Sequence, residues 1–154
     1  MGTVDARISL HCPKRLVLAY LSEGLSAAAP GNPKRLVLRS HLPATHIELA
    51  KGVDIECEVE GDFSWRVRWK PEEGGMYPAF TGRLSVGDDP QDGLTILHLR
   101  GEYEAPLGEA GVVFDKAFGH RMAHDTAAEF LMDLAGTMRA RYAFEQAKAL
   151  YGSR

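Results

Sequence analysis

The sequence predicts an α+β fold: one curved antiparallel sheet of about six to seven strands packed on a long C-terminal α-helix. Three features lead there. Between residues 44 and 104 apolar residues return at every second position, the period of a strand with one buried face. From His120 to about Ala149 the period changes to three and four, and no Pro interrupts it. Short turn signals, Gly61-Asp62 and GDDPQDG at 87–93 among them, separate the strands, and short turns give antiparallel pairing.

The elements follow in order. Residues 6–12 alternate Ile8, Leu10 and Cys12 against Arg7, Ser9 and His11, which reads as a half-buried strand. Pro13 then suits the first turn of a helix over 14–23, where Leu16, Ala19 and Tyr20 recur at helical spacing and Gly24 is a stop. LVL would also fit a strand. Residues 24–33 read as a loop or a loose turn of helix. The string PKRLVL, first seen at 13–18, returns at 33–38. Six residues occurring twice do not make a solenoid. If the second copy has structure it is a strand, since Pro43 blocks helix continuation.

Residues 44–60 carry Ile47, Leu49, Val53, Ile55, Cys57 and Val59 in alternation, broken at Lys51-Gly52. In 63–70 Phe63, Trp65, Val67 and Trp69 share one face and Ser64, Arg66, Arg68 and Lys70 the other, so the two runs read as a hairpin. Strands over 79–86 and 94–104 complete the sheet. Glycines 108, 111 and 119 blur the start of the last helix. Beyond them Met122, Ala123, Thr126, Ala127, Phe130, Leu131, Leu134 and Met138 fall on one side, and Arg121, Asp125, Glu129, Asp133 and Arg139 mostly on the other. This amphipathic helix of roughly 25–30 residues needs a large apolar surface, and the strands are the only candidate.

The 154 residues fit a single domain, and 45% hydrophobic with 25% charged content is the ordinary globular mix. A formal charge of −3, from 18 basic and 21 acidic residues, points away from nucleic acid as a partner. No apolar run reaches the roughly 18–20 residues of a membrane span. The first residues lack the charged start and long apolar core of a secretory signal, so a cytoplasmic location is expected. Cys12 and Cys57 stand alone, outside any CxxC or Cys/His knuckle, and read as small buried apolar groups.

Two stretches resemble the START-like helix-grip superfamily, also called SRPBCC: CPKRLVLAYLSE at 12–23, and LHLRGEYEAPLGEAGVVFD at 97–115. AHDTAAEFLMDLA at 123–135 is similar to that family's terminal helix. The second stretch is similar to poorly characterised bacterial members. The resemblance implies a single domain over 1–154 that binds or transports a small hydrophobic ligand between sheet and helix. Family members include lipid carriers, hydrophobic hormone receptors, polyketide aromatase/cyclases and ring-hydroxylase subunits, and a shared fold does not choose among them. Many members have a larger helical segment between the first two strands. The short one here, between Cys12 and Pro33, would shrink or open one end of the cavity.

Tyr103 alternates with Leu97, Leu99 and Gly101 and should face inward, offering a hydroxyl inside an apolar space. Trp65, Trp69, Phe130 and Leu134 join it as candidate ligand-binding residues, with ordinary core packing as the competing role. His120 and His124 are helical neighbours, but HxxxH needs further ligands to hold zinc, and position 121 is Arg where HExxH has Glu. No metal site and no cofactor are expected. Asp115 is read as a helix cap or ion-pair partner, with a general base as the alternative. PLGEAG at 106–111 is neither GxGxxG nor GxxxxGK[ST], and no GxSxG occurs.

Three readings of function stay open. The first is a non-catalytic carrier or sensor of a small apolar ligand, which needs a closed cavity above about 300 Å³. The second is an interaction module with a filled core, whose partner would be met at an exposed apolar patch or in a homodimer. The third is a cyclase- or hydrolase-like enzyme, which needs polar groups such as Tyr103 with Asp115 or His120 to converge in the cavity.

Overall fold

The computed structural model describes residues 2–41, 48–71, 79–89, 94–104 and 116–152. They form β1 (Gly2–Leu10), α1 (Lys14–Leu25) with a 3-10 turn (Ser26–Ala28), β2 (Lys34–His41), β3 (Glu48–Gly61), β4 (Ser64–Pro71), β5 (Ala79–Asp89), β6 (Leu94–Glu104) and α2 (Lys116–Tyr151). The six strands make one sheet in the order β1-β6-β5-β4-β3-β2, antiparallel at every step. None of the helices is long and apolar enough to cross a membrane, among the described residues.

The topology explains the curvature. β1 and β2 are the two edges of the sheet, yet α2 packs chiefly against these two strands. A flat sheet could not bring both edges to one helix, so the sheet curls around it. The central strands then stand further from the helix, and large side chains must span the gap. α1 buries Val17, Tyr20, Leu21 and Leu25 and closes one end of the curl, where Thr95 Oγ1 on β6 donates to the Cys12 carbonyl at 2.6 Å. The other end is where β4, β5 and β6 leave the sheet, at Pro71, Ala79 and Glu104.

Most of the expected pattern is present. Met122, Ala123, Thr126, Ala127, Phe130, Leu131 and Met138 are buried and Leu134 is half-buried, the stripe that periodicity predicts. Cys12 and Cys57 are buried and unlinked. Burial lifts both thiols, Cys57 to about 11, so both stay protonated and are poor nucleophiles.

Four expectations change. Lys51-Gly52 does not break the strand, because both residues pair with β2, opposite Leu38 and Val37. Phe63 is not on the inner face with Trp65, Val67 and Trp69. It lies in the turn before β4, 48% exposed, with Lys14 Nζ 4.3 Å above its ring. Val59 is exposed beside a one-residue slip of register between Val59 and Gly61. In α1 Ala19 faces solvent, and Val17 and Leu21 complete the buried face instead.

The outer face of the sheet is charged. One row runs Asp5, Arg100, Arg83, Arg66, Glu58 across five strands, which sets three arginines in register. Like charges directly opposite are unfavourable. Glu60 relieves them by taking Arg66 Nη2 on one oxygen and Arg83 Nε on the other, each at 2.9 Å. The bond from Arg83 is the first cause that holds the Glu60 carboxyl below its ordinary range, and the His98 hydrogen bond does the same for Asp5. Both folded pKa values are depressed, so the stabilisation is complete above the ordinary carboxylate range and fades as pH falls through the lowered values. Both groups are solvated, so the effect is small. Glu60→Gln should therefore lower stability slightly in the neutral region, leave the acid end nearly unchanged, and so flatten the acid limb of a stability-against-pH curve. An unchanged acid limb in urea melts across pH would rule this out.

Candidate functional site

Four strands place one residue each in a single row on the inner face. The register runs Trp69 on β4, Phe80 on β5, Tyr103 on β6 and Gly2 on β1. Period-two alternation turns the first three inward, and all three are buried. Trp69 stacks on Phe80 with centroids 4.3 Å apart and planes 22° from parallel, and Phe130 of α2 meets Trp69 at 5.5 Å and 52°. This row lies towards the end of the curl that α1 does not close.

Glycines make room for the rings. A Cβ on Gly2 would come within 2.5 Å of the Tyr103 hydroxyl, so the Tyr103 ring lies over Gly2. A Cβ on Gly82 would meet Phe80 Cζ at 2.5 Å, and one on Gly101 would meet it at 2.8 Å. Phe80 thus folds over a facing glycine pair, Gly82 opposite Gly101.

The polar groups near the core are few. Thr95 and Thr126 are the buried polar residues among those described, and their hydroxyls donate to the carbonyls of Cys12 and Met122. Tyr20 donates to Glu145 Oε2 at 2.7 Å. Tyr103 differs: it is 7% exposed and has no hydrogen-bond partner among the described residues. Burial alone pushes its phenol above the ordinary value. An unpaired buried hydroxyl is uncommon, because each lost hydrogen bond costs about 1–3 kcal/mol.

The predicted site residues separate. Trp69, Tyr103 and Phe130 belong to one neighbourhood, linked through Phe80. Leu134 follows Phe130 by one helical turn, packed against the core and half-buried. Trp65 is buried but stands four residues back along β4, about 13 Å from Trp69 by strand rise. Phe80 and Gly2 were missed. Phe80 alternates with Gly82, Leu84 and Val86, a signal that could have found it. Nothing in the sequence marks Gly2.

His120 and His124 are both exposed, their rings 6.4 Å apart, and His120 lies 6.1 Å from the Tyr103 ring. No group of three His, Cys, Asp or Glu side chains among the described residues could hold a metal. Asp115, Pro106 and the PLGEAG segment lie outside the described residues. A cleft of about 320 Å³ is lined by Asp54, Glu56, Arg68, Lys70, Glu102 and Glu104 of the outward register, with Trp69 and Phe80 among its other neighbours. Its charged lining is on the face turned away from α2, not in the space expected between sheet and helix.

No family model matches the sequence, and no curated protein does. Solved structures do. The protein TTHA0849 of Thermus thermophilus is 16% identical, with a TM-score of 0.56 over 91% of this chain and 99% of its own. The Zhui aromatase/cyclase of Streptomyces sp. R1128 is 12% identical, with a TM-score of 0.53 over 92% and 95%. At such identities the likeness is one of fold. With six antiparallel strands curled edge to edge around a terminal helix, the chain has the START-like helix-grip fold.

Proposed function

We propose that the protein binds a small, largely apolar ligand carrying one polar group, seated against Trp69, Phe80 and Phe130 with its polar group on the Tyr103 hydroxyl. The observation that carries this reading is that hydroxyl, buried and without a partner among the described residues in an otherwise satisfied interior. The aromatic row beside it supplies flat apolar surface. Trp65 supports the wall from further along the same strand. The fold is compatible with binding between sheet and helix and does not name the ligand. The neighbouring aromatase/cyclase shares the fold, and an enzymatic reading needs a second inward polar group that the described residues do not supply.

Tyr103→Phe tests the reading. Removing a buried hydroxyl that has no partner among the described residues should leave thermal stability unchanged or raised, by up to about 1 kcal/mol. The same change should reduce retention of any small molecule that native mass spectrometry finds on the purified protein, or the thermal shift given by a lipid and polyketide panel. A stability loss above about 1 kcal/mol would mean that the hydroxyl is already bonded within the protein. A ligand-free protein that no compound stabilises would favour the interaction-module reading, in which the aromatics merely fill the curl.

A further inference from the structure

The last three turns of α2 run past the core. Burial ends at Met138, Tyr142 is half-buried, and every residue from Ala143 to Tyr151 is exposed. On this segment Ala140, Ala143, Phe144, Ala147, Leu150 and Tyr151 follow the i, i+3, i+4, i+7 spacing that places them on one face. The three large ones are 69%, 74% and 79% exposed. Tyr142 and Glu145, the residues that point back towards the body, occupy the opposite side, with Glu145 accepting from Tyr20 of α1. An apolar stripe therefore faces away from the protein.

Its flanks are basic. Lys148 borders the stripe together with Arg139, which donates to the Ser9 carbonyl of β1 at 3.0 Å, and Arg141, which is bonded to Glu23 and lies over the Tyr20 ring. Glu145 is the only acid between Arg139 and Tyr151, and it is turned inward. This charge pattern selects among occupants. A second copy laid against the stripe, parallel or antiparallel, would set basic flank against basic flank. A surface that is apolar below and anionic above matches both parts of the pattern, with Phe144 and Leu150 in the acyl region and the Tyr151 ring at headgroup level.

We infer that the end of α2 docks on an anionic lipid bilayer, lying in its surface without crossing it. The inference is independent of the ligand reading. The test uses the full chain and flotation with vesicles of phosphatidylcholine, alone or mixed with phosphatidylglycerol. Binding is expected to the mixed vesicles at low salt, and to weaken as salt is raised. Phe144→Glu with Leu150→Glu should lower partitioning at least about tenfold, and Lys148→Glu at least about fivefold. Neither should move the thermal midpoint, because the three side chains are solvated and outside the core. Absence of binding at low salt, equal binding to both vesicle types, or binding kept by the Phe144/Leu150 variant would overturn the inference. So would a solution dimer that the same variant dissolves, which would assign the stripe to a second copy.

Discussion

Trp69→Ala is expected to cost about 3–5 kcal/mol, the range for an aromatic removed from a packed core. The indole stacks on Phe80 and touches the Phe130 ring, so its loss leaves both the sheet and the helix without a facing surface. In a chain of this size each kcal/mol is worth about 2–4 °C, so the midpoint should fall by about 6–20 °C in a calorimetric scan. Relaxation can recover little. The curl is pinned where its two edge strands meet α2, and the central strands cannot easily move in to fill the void. Trp69→Phe should recover much of the loss. A cost below about 1 kcal/mol for the alanine variant would mean that the space around the indole is already loose.

Gly101→Ala is the second large effect, and its sign is opposite to what strand propensity suggests. A methyl at this position usually helps a strand. Here it would strike the Phe80 ring, the Gly82 Cα atom and the Thr81 carbonyl. Two of these three are backbone, which cannot turn aside. The expected loss is about 1–3 kcal/mol or more, read as a lower urea midpoint with an unchanged slope. Phe80→Leu removes the ring collision at its own cost, so in that background the further loss from Gly101→Ala should shrink without vanishing. A further loss near zero there would show that the backbone approach is not limiting.

The two copies of PKRLVL show what the sequence can and cannot tell. The first is the start of α1 and the second is the start of β2. The six residues have no preference strong enough to decide, so their continuations decide. After the first copy Tyr20, Leu21 and Leu25 keep a helical stripe that closes the end of the curl. After the second, the chain pairs with β3 along its length. Helix and strand periods were therefore readable wherever they ran for several residues, as in β4, β6 and the buried stripe of α2.

Features that depend on one position were harder. Phe63 continues the alternation of Trp65 and Val67 but falls in the turn, where pairing no longer fixes which way a side chain points. Of the candidate site, the inward direction of Trp69, Tyr103 and Phe130 was legible from period. Their assembly with Phe80 was not, because it depends on cross-strand register. Register joins residues far apart in the chain, such as Gly2 and Tyr103, and no local signal carries it.

That same register has a consequence for biosynthesis. β1, the earliest of the described strands to be made, pairs with the last strand of the sheet, β6. At synthesis rates of about 5–20 residues per second, some ninety residues of waiting amount to about 5–20 s during which the nascent β1 has no partner. β2 to β5 can zip as hairpins meanwhile, and α2 comes after them all. Closure of the curl is then a late event joining the first and last strands of the sheet, of the long-range kind that slows folding. In the interval β1 is the segment that a chaperone, or the exposed edge of another nascent copy, would meet first.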